Sequence, residues 1–287
     1  MIITAIQGFC MALADSVPGV SGGTIAFIMG FYDKFIGSIE GLFFGKIDRK
    51  IRSVKFLVNL GVGWVIGMLI SVTILAGVFS THIYDVSSLF LGFIIGALPV
   101  IYIEEKDVIK GKYRNIPFLI AGVALVAALS YFNPTSGTGM DITRLTVPLA
   151  AYIFVSGMAA ISAMFLPGIS GSTILLILGL YLPVITGVHQ LTGGDASSAP
   201  ALILFVFGAV VGAVTVVRVI KRCLEKYRSA TVYAILGLMI GSLYAVTVGP
   251  ESLSPAQPAM TWNTFSLLFF IIGVAIIAMF QWLKSKK

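Results

Sequence analysis

The sequence predicts an all-α polytopic membrane protein made of two inverted-topology repeats, each a re-entrant helical hairpin followed by three transmembrane helices. Three observations predict this fold. Hydrophobic residues make up 58% of the 287 residues and charged residues only 11%, a helix-breaking motif occurs twice, and the basic residues fall into separate clusters. This composition leaves too little polar surface for a soluble globular protein. Residues 1–287 are therefore predicted to form a single membrane domain, with the first repeat at 1–132 and the second at 147–287.

Apolar segments separated by polar, glycine or proline residues supply five elements in each half. In the first half they are residues 2–13, 24–44, 56–79, 89–103 and 116–132. In the second half they are residues 147–166, 173–188, 201–217, 231–248 and 264–282. The first two segments of each half form the predicted hairpin, and the last three are the predicted transmembrane helices.

Basic residues lie in four clusters that alternate with connections almost free of them. Residues 46–55, 106–114, 218–228 and 284–287 contain 17 of the 19 lysines and arginines, whereas residues 80–88, 133–146, 189–200 and 249–263 contain only Arg144. By the positive-inside rule the clusters are cytoplasmic, and so are the N- and C-termini. This topology accounts for the net charge of +7 without a nucleic-acid partner.

The first hairpin contains the motif PGVSGGT from Pro18 to Thr24, and the second hairpin repeats it. Residues 163–181 match residues 14–32 at 10 of 19 positions, including Pro-Gly, Ser-Gly and Thr-Ile pairs and a final tyrosine. Proline and glycine interrupt a helix, and a serine or threonine can cap the helix that follows. Each motif is therefore predicted to lie at the turn of a hairpin.

The loop charges place the two hairpins on opposite faces of the membrane. Residues 1–44 enter and leave on the cytoplasmic side, and residues 147–188 enter and leave on the external side. Charge parity allows two full spans or a re-entrant element, and the shortness of residues 1–14 favours the re-entrant form. Inverted repeats with broken helices at corresponding positions are typical of secondary transporters.

Glycine pairs that are predicted to pack helices closely are Gly63/Gly67, Gly92/Gly96, Gly208/Gly212 and Gly237/Gly241.

The broken motifs suggest a site for an anion. Backbone N–H groups at a helix N-terminus favour negative charge, phosphate above all, and two convergent termini could hold one phosphate without an arginine. The candidate substrate-binding residues are Pro18, Gly19, Ser21, Gly22, Gly23, Thr24, Pro167, Gly168, Ser170, Gly171, Ser172 and Thr173. The alternative is that the hydroxyl groups only cap a turn, and the duplication in both halves favours binding.

Four charged residues near the hairpins are candidates for coupling or gating. Asp15 precedes the first motif, and a carboxylate at membrane depth costs at least ~2.5 kcal/mol, so it is expected to be hydrogen-bonded, protonated or hydrated. Asp33 and Lys34 follow Tyr32 and form either a local ion pair or part of the coupling machinery. Arg144 either attracts an anionic head group or is simply solvated.

The residue inventory predicts no enzyme, no cofactor and no metal site. His82 and His189 are the only histidines, and no Ser-His-Asp, paired-carboxylate or metal-ligand spacing accompanies the motif. Cys10 and Cys223 have no CxxC spacing and no histidine close in sequence, so neither a disulfide framework nor a metal site is indicated.

Four stretches of the chain resemble the PopT-type polyprenyl-phosphate translocase family, formerly a membrane domain of unknown function. They are DSVPGVSGGT (15–24), LPGISGS (166–172), KYRSAT (226–231) and GLMIGSL (237–243). The resemblance covers nearly the whole chain. It implies flipping of undecaprenyl phosphate, the lipid carrier of cell-envelope and peptidoglycan synthesis, across the cytoplasmic (inner) membrane. Leu182 after Tyr181 departs from the expected acidic residue, so no ion-coupling role is carried over to that position.

The residues alone leave two other functions open. The same motif would serve a transporter of a small soluble anion, and both motifs would be mere turns in a non-transporting membrane scaffold. An opening toward lipid between the repeats would favour the lipid substrate, and a closed cavity would favour the soluble anion. The sequence also leaves open proton or sodium coupling, the direction of transport, the polyprenyl length, homo-oligomer formation and a bacterial or archaeal source.

Overall fold

A computed structural model describes residues 2–16, 20–71, 76–131, 140–252 and 256–285. Within these ranges all regular secondary structure is helical and no strand is present. A helix satisfies its own backbone N–H and C=O groups, which is why it suits a chain placed in lipid. The helices are α1 (Ile2–Asp15), α2 (Gly22–Ile28), α3 (Tyr32–Phe44), α4 (Ile47–Ile70), α5 (Ala76–Glu104), α6 (Lys106–Ile109), α7 (Ile116–Tyr131), α8 (Val147–Phe165), α9 (Gly171–Ile177), α10 (Tyr181–Thr192), α11 (Ala199–Lys226), α12 (Arg228–Val248) and α13 (Leu267–Ser285), with 3₁₀ turns at Tyr113–Asn115 and Gly249–Ser252.

Six helical segments among the described residues are long and apolar enough to cross a membrane. They are Ile47–Ile70, His82–Glu104, Tyr113–Tyr131, Val147–Phe165, Ala199–Lys226 and Arg228–Glu251. Helices α9 and α10 add a seventh if they count as one span, although they meet at an angle of 106°. The protein is therefore a multi-pass membrane protein.

The first helices of the two predicted hairpins differ in length. Helix α8, which the sequence analysis assigned to a hairpin, has 19 residues and is about 28 Å long, close to the ~30 Å thickness of a hydrocarbon core. Helix α1 has only 14 residues and is about 21 Å long. The last predicted span, residues 264–282, corresponds to α13, which has 19 residues. The first arms of the two hairpins thus differ in length although their motifs are alike.

The elements around the two motifs recur in the same order. Helices α2 and α9 have seven residues each. Each is followed by a glycine with positive φ, Gly30 at 70° and Gly179 at 67°, a conformation that glycine adopts without steric cost. The next helix then begins at a tyrosine, Tyr32 in α3 and Tyr181 in α10. The repeated sequence therefore gives a repeated local structure.

Glycines bring the long helices together in four pairs: α1 with α4, α8 with α11, α5 with α13, and α7 with α12. An added Cβ would strike a backbone oxygen of the partner helix at each crossing: Gly63 at Ala5 (1.8 Å), Gly208 at Phe154 (2.1 Å), Gly92 at Phe270 (2.2 Å) and Gly237 at Leu119 (2.1 Å). The predicted packing role of these glycines is thus confirmed. Two pairs, α5 with α13 and α7 with α12, join a helix of the first half to one of the second, so the halves interlock.

Candidate functional site

The two motifs meet in the interior of the protein, where three hydrogen bonds join the halves. The Oγ1 of Thr24 accepts a hydrogen bond from the backbone N–H of Gly168 at 2.8 Å. The Ser21 hydroxyl donates to the carbonyl oxygen of Leu166 at 3.4 Å, and the Tyr32 hydroxyl donates to that of Phe165 at 2.8 Å. The structure therefore brings together the two turns that the sequence singled out, which we call the first tip (residues 20–24) and the second tip (residues 166–173).

The first tip is stabilised by Ser21, the N-cap residue of α2. Ser21 adopts an extended conformation before α2 and accepts a hydrogen bond from the backbone N–H of Thr24 at 3.3 Å, as an N-cap serine does. The hydroxyl groups of Ser21 and Thr24 also lie 3.1 Å apart, and both side chains are buried. Pro18 and Gly19 lie outside the described residues. These two hydroxyl groups therefore hold the tip and the junction together.

Fewer of the hydrogen-bonding groups in the second tip have a partner within the tip. Ser170 precedes α9, but its side chain makes no capping hydrogen bond; its hydroxyl instead lies 2.7 Å from that of Ser172. No described residue accepts a hydrogen bond from the backbone N–H groups of Gly171, Ser172 and Thr173. These are the orphan donors of a helix N-terminus, so this tip retains the donors that an anion requires.

Gly168 of the second tip has a structural reason to be glycine. Its φ is +88°, and an added Cβ would lie 2.4 Å from the carbonyl oxygen of Leu238 in α12. Pro167 beside it is buried. The backbone of the tip therefore rests directly on α12, which fixes the position of the residues that follow.

Asp15 occupies the N-terminus of α2. Its carboxylate accepts hydrogen bonds from the backbone N–H of Gly22 at 2.6 Å and from the indole Nε1–H of Trp64 at 2.9 Å. A hydrogen bond from the motif was one of three states left open for Asp15, and the Gly22 bond shows that it is formed. Trp64 was not predicted as a partner, although an indole N–H at membrane depth needs an acceptor. The backbone N–H of Gly22, one of the donors of the first tip, therefore already bonds to the Asp15 carboxylate.

A cavity of about 350 Å³ lies beside the first tip. Gly22 and Gly23 of the first tip line it. The other lining residues come mainly from α4 and α8, with a few from α1 and α3: Leu57, Leu60, Gly61, Trp64 and Val65; Ile161, Met164 and Phe165; Met11, Asp15 and Phe35. Val65 is 51% exposed on a helix long and apolar enough to cross a membrane, so this edge of the cavity lies at the protein surface.

Charged residues join the halves at the predicted cytoplasmic side. The Arg228 guanidinium donates to Asp33 at 2.8 Å and also to Glu105, while Glu40 pairs with Lys221 at 2.8 Å and Arg49 at 2.6 Å.

The ion pair between Asp33 and Lys34 that the sequence left open is not formed. The Asp33 carboxylate pairs with Arg228, and the Lys34 ammonium instead lies 4.6 Å from the ring centroid of Phe56, a cation–π arrangement. The reason is geometric, because adjacent residues of a helix point in different directions. Asp33 therefore links α3 to α12 of the second half, away from the two tips.

Arg144 lies in the exposed connection before α8 rather than at the tips. Its neighbour Asp141 accepts hydrogen bonds from the Thr143 hydroxyl at 2.7 Å and the Thr143 backbone N–H at 2.9 Å. These bonds, with a smaller contribution from the Arg144 charge, lower the pKa of the Asp141 carboxyl. Arg144 thus lies near a loop carboxylate and forms no hydrogen bond or ion pair with a motif residue that the structure describes.

Comparison with known proteins identifies the family. Residues 11–264 match the model of a family described as undecaprenyl phosphate translocase-like. The chain belongs to this family. The match includes both tips, the cavity and the charged residues between the halves, so the whole site lies inside the region that this translocase-like family shares.

Two curated relatives, each named polyprenyl-phosphate transporter, are similar to this translocase-like protein over most of its length. One, from Staphylococcus aureus, is 32% identical over 278 residues, which cover 96% of this chain and 94% of the relative. The other, from Vibrio cholerae serotype O1, is 32% identical over 266 residues, which cover 88% of this chain and 79% of the relative. No solved structure matches the chain.

Proposed function

We propose that the protein translocates undecaprenyl phosphate, or a related polyprenyl phosphate, across the cytoplasmic membrane and so recycles the carrier lipid of cell-envelope synthesis. Membership of the translocase-like family and the names of both relatives support this proposal. The observation that carries it is the meeting of two hydroxyl-rich tips beside an apolar cavity that reaches the protein surface. A phosphate group and a hydrocarbon chain on one molecule match these two surroundings.

The phosphate binds at the junction of the tips in this proposal. The backbone N–H groups of Gly171, Ser172 and Thr173 are the donors without a described acceptor, and the Ser170–Ser172 hydroxyl pair lies beside them. Hydrogen bonds to a charged group are worth about 1.5–3 kcal/mol each. The second tip therefore supplies most of the binding, and the first tip supports it through Ser21 and Thr24.

Asp15 supplies the coupling step. Its carboxylate and the substrate phosphate are both anions that suit the Gly22 N–H, so they compete for that donor. Protonation of Asp15, or its pairing with a cation, weakens its hold on Gly22 and frees the first tip for phosphate. This arrangement supports a proton or sodium gradient as the driving force.

The proposed membrane topology places the two halves in opposite orientations. The two halves, residues 1–132 and 147–287, are inverted repeats whose hairpins carry the two tips; the first hairpin is re-entrant, and both termini are cytoplasmic. The recurrence of α2 and α3 in α9 and α10 and the four basic clusters support this topology. Alternating access would then proceed by movement of the helix pair α1–α4 against the helix pair α8–α11, each of which lies within one half.

A small soluble anion is the competing substrate, and the cavity argues against it. Apart from Asp15 and Trp64, which bond to each other, the cavity is lined by apolar side chains and by backbone. A hydrated anion entering this route would lose water without gaining donors, whereas a hydrocarbon chain would not.

The test uses the full-length protein in liposomes that contain undecaprenyl phosphate. A membrane-impermeant phosphatase added outside hydrolyses the outer-leaflet lipid at once, and the slower release of phosphate then reports transport from the inner leaflet. We expect Ser170→Ala with Ser172→Ala, and Ser21→Ala with Ser170→Ala, to lower this slow rate by about tenfold or more, since each lost bond to phosphate is worth about 1.5–3 kcal/mol.

The matched control is Thr146→Ala. Thr146 caps α8 as Ser21 caps α2, accepting from the backbone N–H of Leu149 at 3.4 Å, but it lies in an exposed loop outside the junction. It separates the loss of a helix cap from the loss of a phosphate ligand. Unchanged transport in both serine double variants would refute the phosphate site, and no transport by the wild-type protein under any gradient would refute the proposed function.

A further inference from the structure

We infer that the cavity between α4 and α8 binds the isoprene units next to the phosphate, and that Gly61 is the residue that keeps this tail site open. The inference rests on the proposed function and adds to it a site for the hydrocarbon part of the substrate. The site is distinct from the phosphate donors, because its walls come from α4 and α8 rather than from the hydroxyl groups of the tips.

The cavity is continuous with the junction of the tips. Gly22 and Gly23 of the first tip line it together with Phe165, which precedes the second tip, and an added Cβ on Gly23 would lie 3.0 Å from the carbonyl oxygen of Met164. Val65, another lining residue, is 51% exposed on a helix long enough to cross a membrane. A lipid whose phosphate lies at the tips can therefore place its chain in this cavity and extend it past Val65 into the bilayer.

The walls suit a hydrocarbon chain. Leu57, Val65, Ile161 and Met164 present apolar side chains from two helices, and the Trp64 indole N–H is taken by Asp15. The volume of about 350 Å³ is at the lower end of the roughly 300–1,000 Å³ of ligand pockets. The cavity therefore holds the first part of a long polyprenyl chain, and the remainder lies in the bilayer.

Gly61 differs from the other glycines of α4. An added Cβ on Gly63 would lie 1.8 Å from the Ala5 carbonyl oxygen and one on Gly67 2.8 Å from that of Phe9, so both permit close packing. An added Cβ on Gly61 meets nothing within 4 Å. Glycine is less favourable than alanine inside a helix, and no packing contact offsets that cost here. The missing side chain instead leaves space in the cavity.

The first experiment compares Gly61→Phe with Gly61→Ala and Gly37→Phe in the liposome assay. Gly37 is the matched control, because it is also a helix glycine whose added Cβ meets nothing within 4 Å, but it lies in α3 and does not line the cavity. We expect Gly61→Phe to lower the transport rate by about tenfold, as overpacking of a filled site does. Gly37→Phe is expected to retain the wild-type rate within about twofold, and Gly61→Ala, which adds a single methyl group, is expected to lower the rate less than Gly61→Phe does.

A second experiment fills the cavity after folding. Gly61→Cys is made in a protein with Cys10→Ser and Cys223→Ser, reconstituted, and then alkylated with a bulky maleimide. We expect alkylation to stop transport, and undecaprenyl phosphate to slow the alkylation, whereas Gly37→Cys treated in the same way is unaffected by either. Inorganic phosphate, which lacks a tail, is expected to give no protection.

The outcomes separate this inference from the proposed function. Transport by the wild-type protein that continues unchanged in Gly61→Phe and in alkylated Gly61→Cys would overturn the tail site and leave the function intact. Protection of Gly61→Cys by inorganic phosphate alone would also overturn it, because the cavity would then bind the anion rather than the chain. Absence of transport in the wild-type protein would instead refute the proposed function.

Discussion

Replacement of Gly168 by alanine tests whether the backbone of the second tip rests on α12. The change carries two costs: a left-handed conformation at φ +88°, which costs an L-residue about 1–2 kcal/mol, and a Cβ placed 2.4 Å from the Leu238 carbonyl oxygen. Overpacking against an immobile group adds about 1–3 kcal/mol. We therefore expect Gly168→Ala to lower the free energy of unfolding by about 2–5 kcal/mol.

Gly179→Ala measures the cost of the left-handed conformation alone. Gly179 also has positive φ, at +67°, but an added Cβ meets nothing within 4 Å, so only the conformational cost of about 1–2 kcal/mol applies. Thermal unfolding of both variants in the same detergent, followed by the liposome transport assay, measures the difference. A fall in melting temperature for Gly168→Ala at least twice that for Gly179→Ala is expected, together with loss of transport. Equal falls would refute the close approach of the tip to α12.

Two further substitutions test the contacts between the halves. Thr24→Val leaves the buried N–H of Gly168 without its acceptor and is expected to lower the free energy of unfolding by about 1–3 kcal/mol; equal transport and melting in Thr24→Val and wild type would contradict the junction. Arg228→Ala leaves Glu105, whose side chain is 15% exposed, without its cation. Because Arg228 is itself 40% exposed, the expected loss is about 1–3 kcal/mol, below the 3–5 kcal/mol of a fully buried pair. Exposed Arg222, which has no ion-pair partner in the described chain, is the control, and equal melting of Arg228→Ala and Arg222→Ala would contradict the ion pair.

Much of the fold was predictable because the signals were periodic and strong. Apolar length predicted membrane helices, and spaced glycines such as Gly63 and Gly208 predicted close helix crossings, since only glycine tolerates such an approach. The duplicated motif predicted two interrupted helices, and the structure ends α2 and α9 at equivalent residues. The prediction that the two motifs converge was sound because broken helices at corresponding positions tend to meet at one site.

The remaining features depend on long-range contacts that no local pattern encodes. Trp64 bonds to Asp15 across 49 residues, and Arg228 reaches Asp33 across 195; both partners are set by helix packing. From the sequence we also expected the two motifs to be equivalent. Asp15 has no acidic counterpart before the second motif, where Met164 stands. The Asp15 carboxylate therefore bonds to the Gly22 N–H of the first tip, whereas the N–H groups of the second tip have no described acceptor.

The close helix crossings restrict how the protein can change shape. Where a glycine lies against a backbone carbonyl, as Gly63 does against Ala5, sliding meets hard contact, so each helix pair moves as a rigid body. Relative motion of these rigid pairs then requires the hydrogen bonds of the tips to break, together with ion pairs such as that of Glu40 with Lys221. Three bonds at about 0.5–1.5 kcal/mol each amount to about 1.5–4.5 kcal/mol. That is within the few kcal/mol that separate a major from a minor conformer, so the hydrogen bonds of the tips alone do not lock the tips together.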